Sequence, residues 1–224
     1  MKINYICVIL LAVCFSAFGK SEYKLMNVDV DYTDTLSIQR GLGTYINYCI
    51  ACHSMKEVTL GSLKKVGLTE DQIKNFVVFN KDAKMTEYLK SSLDPKSAKV
   101  GFGIVPPDLS LSVRSRGEDW LYTYFLSFYE DSQSSHGWNN PLIPGLAMPH
   151  VLANIENELK KVSVGNNNIE YNNYIKDLVT FLAFASEPNR VDRKIIGLYV
   201  VLFLIFLLIP FTLLKNEFWK DIKK

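Results

Sequence analysis

The run from Ile195 to Leu214 holds twenty residues and not one charge. As a helix rising 1.5 Å per residue it reaches about 30 Å, the thickness of a bilayer's hydrocarbon core. Arg190, Arg193 and Lys194 precede it; Lys215, Lys220, Lys223 and Lys224 follow, with Trp219 placed as an interfacial ring. Three bases against four barely orient such a span. The other end of the chain does. Lys2, the short apolar run Ile6 to Phe15 and the small-residue stretch Ala17-Phe18-Gly19 describe a secretory signal peptide, too short to span a bilayer. The expected organisation is a signal peptide over residues 1–19, an exported domain over 20–190, a transmembrane anchor over 191–215 and a cytoplasmic tail over 216–224.

Charge and cysteine usage narrow the function. Across 224 residues, 25 basic side chains face 23 acidic ones, a net charge of +2. That balance excludes a strongly basic nucleic-acid binder and a highly acidic disordered tail. Over residues 20–194 the two signs nearly cancel, twenty basic against twenty-one acidic, so long-range steering by the whole domain should be small. A local acidic stretch over residues 22–34 could still steer. Four cysteines are too few for a disulfide scaffold, and removal of Cys7 and Cys14 with the signal peptide leaves Cys49 and Cys52 alone.

The exported part reads as helix-rich, with long loops and one small hairpin. Thr35 to Tyr48 has helical periodicity, and Leu68 to Phe79 starts with Thr69 as an N-cap followed by Glu70 and Asp71. Gly117 to Tyr129 predicts an aromatic-rich helix. Asn139 to Pro149, with three prolines and Gly145, predicts an irregular loop. Ile155 to Tyr171 alternates weakly around Gly165-Asn166-Asn167-Asn168 and predicts the hairpin. Tyr171, Tyr174, Ile175, Leu178, Phe181 and Leu182 then form one helical stripe. Loops this long in a small domain usually wrap something.

Cys49-Ile50-Ala51-Cys52-His53 says what that is. C-x-x-C-H is the attachment pattern of a c-type haem. On a helical turn residues i, i+3 and i+4 share one side, so the two thiols can each bond a vinyl group while His53 sits under the iron. A structural zinc site needs four ligands, and the mature chain has no second cysteine pair. A thioredoxin-like redox pair expects a βαβ pattern, and none is visible. A plain disulfide leaves His53 without a role.

An electron carrier needs a sixth iron ligand. The side chains able to serve are Met26, Met55, Met85, Met148, His136 and His150. Met55 lies too close to His53 to reach the opposite face. Met148 sits in an apolar loop, Pro141 to Pro149, stiffened by proline and able to present a thioether while excluding water. His150, two residues on, is the alternative. Histidine–methionine ligation raises the haem potential relative to a more basic pair. Arg114 and Arg116, after the turn at Pro106-Pro107-Asp108, are forks suited to the haem propionates or simply solvated surface charges.

Taken together these stretches resemble the cytochrome c1 family, in its bacterial form. The resemblance is carried by Arg40-Gly41, by Asn47-Tyr48-Cys49-Ile50-Ala51-Cys52-His53-Ser54, and by Pro106-Pro107-Asp108-Leu109-Ser110-Leu111 with Arg114 and Arg116. Gly117-Glu118-Asp119-Trp120, Asn139-Asn140-Pro141, Ala147-Met148-Pro149 and Ser186-Glu187-Pro188 ahead of the C-terminal span continue it. One departure is Thr59-Leu60-Gly61-Ser62, where the family usually carries a Tyr-Arg pair after the haem motif.

The resemblance implies an all-α, class I cytochrome c-like haem domain in the periplasm, held to the inner membrane by one C-terminal helix. It implies one haem c on Cys49 and Cys52, with His53 and Met148 as iron ligands, Arg114 as the propionate contact with Arg116 nearby, and Pro106 beside the group. The implied role is to carry electrons from the Rieske iron–sulfur protein to a soluble c-type cytochrome, beside cytochrome b in a dimeric bc1 complex. Two other readings fit the motif alone. One is a free-standing tail-anchored cytochrome or oxidase subunit; the other is a gas-binding haem sensor with an open sixth position.

Overall fold

The computed structural model describes residues 23–162 and 169–220. The signal-peptide segment, residues 1–19, lies outside the described residues. Helix α1 spans Thr35–Tyr48, as its periodicity predicts. Its start is fixed by Asp34, whose side chain accepts the Ser37 N–H at 3.0 Å and satisfies one of the unpaired amides of the first turn. Its inward face is Ser37, Ile38, Gly41, Leu42, Thr44 and Tyr45, the i, i+3, i+4 stripe of a half-buried helix.

Strand β1 (Met55–Thr59) follows the C-x-x-C-H turn, then a 3₁₀ segment (Leu60–Val66) and the short helix α2 (Glu70–Gln72). Thr69 caps α2 as predicted, in a reciprocal box with Gln72: Thr69 Oγ1 accepts the Gln72 N–H at 3.2 Å and Gln72 Oε1 accepts the Thr69 N–H at 2.8 Å. The chain continues as a π-turn over Ile73–Val77. Strand β2 (Tyr88–Leu89) returns antiparallel to β1, pairing Leu89 with Met55 through an irregular register. Helix α3 (Pro95–Phe102) has Asp94 as cap, Pro95 at its first position and Gly103 at φ +73° as its stop.

Helices α4 (Ser112–Arg116) and α5 (Glu118–Leu126) follow, then a hairpin of β3 (Tyr129–Glu130) and β4 (Trp138–Asn139). Tyr129, expected at the end of a helix, pairs with Asn139 instead. Helix α6 (Ala153–Val162) and helix α7 (Ile169–Ser186) replace the hairpin expected over residues 155–171. Ile155, Leu159 and Val162 recur at i, i+4, i+7, and Glu156 pairs with Lys160 one turn on, both of which favour helix over strand. The Gly165–Asn168 turn lies outside the described residues. The fold is therefore helical with small antiparallel strand pairs, β1–β2 and β3–β4, and the segment expected to be a hairpin is helical on both sides.

Helix α7 is the centre of the core. Tyr171, Ile175, Leu178, Val179, Phe181 and Leu182 are buried, and Phe181 packs on Tyr45 of α1 with ring centroids 5.5 Å apart. Beside that contact Arg40 grips Asp177 with two nitrogens, at 2.5 Å and 2.9 Å, while Ser37 Oγ donates to the same carboxylate at 2.6 Å. Helix α8 (Arg190–Phe218) is exposed along its apolar length, long enough to cross a membrane, and carries Pro210 near its far end. Its first turn is tied to the domain: Arg190 lies over the Tyr32 ring at 3.8 Å and pairs with Glu118 at 3.6 Å, and Lys65 meets Asp192 at 2.9 Å.

Candidate functional site: a haem-attachment turn and a methionine loop

Helix α1 runs straight into the attachment motif. The Cys49 N–H bonds to the Tyr45 carbonyl at 2.9 Å, and the His53 N–H bonds to the Cys49 carbonyl at 2.8 Å, so Cys49, Cys52 and His53 continue one helical wall. The Tyr45 hydroxyl, fully buried, closes the turn by donating to the His53 carbonyl at 2.7 Å. Cys49 is buried and Cys52 exposed, and both thiols are free. Burial pushes the Cys49 thiol up to about 12, with Cys52 adding to the shift, so it stays protonated.

His53 is oriented by the proline turn. Its Nδ1 lies 2.7 Å from the Pro107 carbonyl oxygen. A carbonyl can only accept, so Nδ1 carries the proton and Nε2 keeps a bare lone pair. Burial pushes this imidazole down, outweighing the Pro107 carbonyl and the Asp108 carboxylate. A neutral ring with a free Nε2 and a backbone-anchored Nδ1 is the arrangement of a metal-binding histidine. The turn itself is pinned: Asp108 accepts the Lys56 and Ser110 N–H groups at 2.9 Å each, and the Leu109 N–H bonds to the Ser54 carbonyl at 3.0 Å. Pro106, singled out from sequence, is half-buried; the contacting atom belongs to Pro107.

Met148 sits half-buried against the same core, and its sulfur lies 3.3 Å from the Tyr124 hydroxyl. The other side chains weighed as sixth ligands are placed elsewhere. Met55 is fully buried in β1. Met26 is exposed on the lead-in, its N–H bonded to Thr123 Oγ1 at 2.8 Å. Met85 packs beside Gly61. His136 donates from Nε2 to the Leu146 carbonyl at 2.8 Å. His150 is buried, stacked on Phe128 at 4.6 Å and bonded through Nε2 to Glu156 at 2.6 Å. Both histidines brace the loop around Met148.

The two arginines part company. Arg116 lies over the Trp120 ring at 4.9 Å, and Trp120 stacks on Tyr124 at 5.3 Å, on the side of α5 that reaches Met148. Arg114 instead lines a cleft with Tyr32, Glu118, Glu187 and Arg190 at the root of the anchor. Sequence reasoning missed Pro107, because a backbone carbonyl leaves no side-chain signature, and Tyr124, whose position reads as ordinary core.

The cytochrome c1 family profile matches residues 26–222 of this chain. The chain belongs to the cytochrome c1 family. Cytochrome c1 of Allochromatium vinosum is 37% identical over 92% of each chain. A Nitrosomonas europaea protein named as an ammonia monooxygenase gamma subunit is 34% identical over 96% of this chain and 95% of its own. The mitochondrial cytochrome c1 haem protein of Saccharomyces cerevisiae is 28% identical, over 85% of this chain and 68% of its own. As a cytochrome c1-like protein, the chain is a membrane-anchored, periplasmic electron-transfer subunit of a bc1-type respiratory complex. The family typically carries covalently bound haem c, and the free thiol pair beside a bare Nε2 fits that group.

Proposed function

We propose that Cys49 and Cys52 hold one haem c through thioether bonds, with His53 Nε2 as proximal ligand and Met148 Sδ as distal ligand. When bound, the iron supplies one-electron chemistry; the polypeptide supplies attachment, ligation and exclusion of water. The observation that carries this reading is the His53–Pro107 bond of 2.7 Å, which fixes the imidazole's tautomer and leaves Nε2 as the nitrogen with a free lone pair. Tyr45 keeps the attachment turn closed, and Asp108 keeps the Pro107 carbonyl in place. Of the residues around the group, Pro106, Arg114 and Arg116, the Trp120 contact favours Arg116 as the propionate partner.

The chain takes electrons from the Rieske iron–sulfur protein and passes them to a soluble c-type cytochrome, docked with cytochrome b in a dimeric complex. Residues 1–19 act as the signal peptide, 20–190 as the periplasmic haem domain, 191–215 as the anchor and 216–224 as the cytoplasmic tail. Purification of the native assembly from membranes, followed by a census of its subunits and haem staining after denaturation, tests this. Cytochrome b and a Rieske protein should co-purify with a chain that retains haem. A solitary, stable protein would favour the free-standing cytochrome instead.

A further inference from the structure

We propose that Tyr124 sets the electron-donor strength of Met148 by donating its phenolic hydrogen to the thioether sulfur. The inference rests on reading Met148 as the distal iron ligand, and the experiment below separates the two.

The contact is 3.3 Å, within hydrogen-bond reach for a sulfur acceptor. A thioether sulfur has two lone pairs; one can face a metal while the other accepts a hydrogen bond. The hydrogen bond withdraws electron density from sulfur, which weakens donation to ferric iron and favours the ferrous state. Hydrogen bonding around a ligand is a recognised lever on metal-centre potentials.

The surroundings fix both partners without help from the hydroxyl. The Tyr124 ring is stacked on Trp120 at 5.3 Å and meets the edges of Phe125 and Phe128 at 5.3 Å and 5.2 Å. The methionine loop is latched to the same residue's backbone: buried Asn140 donates from Nδ2 to the Tyr124 carbonyl at 2.8 Å. Two further bonds hold it, His136 Nε2 to the Leu146 carbonyl at 2.8 Å and the Gly145 N–H to Asn139 Oδ1 at 3.1 Å. Removing one oxygen from Tyr124 therefore changes the sulfur's electronic environment and leaves its position set.

The test is a redox titration of the intact haem-loaded protein, with the far-red absorption band of thioether-ligated ferric haem recorded alongside. Tyr124→Phe should keep the covalent haem and the band but lower the potential. The shift is the difference in hydrogen-bond strength between the two oxidation states and is bounded by the whole bond, at most about fivefold in the ferric–ferrous equilibrium or about 40 mV for one electron. 3-Fluorotyrosine installed at position 124, a stronger donor of the same shape, should move the potential the other way. Unchanged potentials in both variants would overturn the proposal, as would loss of the band in Tyr124→Phe, since the hydroxyl would then serve only to position the loop. Absence of the band from the unmutated protein would overturn the Met148 assignment itself.

Discussion

A Cβ on Gly41 would stand 2.0 Å from the carbonyl oxygen of Asp177, so α1 and α7 cross in direct backbone contact. That crossing holds the helix leading into Cys49 against the core, and the neighbouring Arg40–Asp177 ion pair locks its register. The glycine in the Arg40-Gly41 pair is thus a steric requirement of the packing.

Gly41→Ala should destabilise the haem-loaded protein by about 3 kcal/mol or more, the range of overpacking in a closed core. Chemical denaturation followed by haem absorbance reads this directly. A change within about 0.5 kcal/mol would mean that the helices part easily.

Asp108→Ala leaves the Lys56 and Ser110 N–H groups without their acceptor and frees the turn that carries the Pro107 carbonyl. The bonds are exposed or part-buried, so the expected cost is about 0.5–1.5 kcal/mol. The same denaturation experiment should show a lower midpoint, whereas Asp108→Asn, which keeps an acceptor oxygen, should lose less.

Acid should weaken the loop's support through Glu156. Burial pushes this carboxyl up, but hydrogen bonds from His150 and Lys160 outweigh it and hold it below its ordinary value of 4.5. A depressed folded value means the stabilisation is present above pH 4.5 and is lost as pH falls through the lower, folded-state value. Glu156→Gln should therefore flatten the acid limb of a stability–pH profile below pH 4.5. An unchanged slope would place the acid sensitivity on other carboxylates.

Met148→Leu should retain covalent haem while lowering its potential, because a thioether favours ferrous iron. The reduced variant should also bind carbon monoxide readily, as the unmutated protein should not. An unchanged potential would contradict Met148 as ligand, and ready binding by the unmutated protein would favour a sensor.

Much of the frame was legible before any coordinates. The α1 boundaries followed from apolar spacing, the α2 start from Thr69, and the anchor from a charge-free run, whereas the Asp34 cap emerged only with the structure. These are local signals, carried by side-chain chemistry at fixed offsets. What escaped is non-local or carried by the backbone. The Pro107 carbonyl reaches His53 across 54 positions, and Tyr124 reaches Met148 across 24. The expected hairpin over residues 155–171 failed because weak alternation was outweighed by the i, i+4 spacing of Ile155, Leu159 and the Glu156–Lys160 pair. Arg114 and Arg116, two residues apart and alike on paper, separate only when Trp120 is seen beneath one of them.

Intact-mass measurement of the mature chain, expressed in a host that builds c-type cytochromes, bears most directly on haem attachment at Cys49 and Cys52. The processed polypeptide plus one haem is the predicted mass, falling to the bare polypeptide when both cysteines are changed to alanine. A bare mass for the unmutated chain would contradict the account.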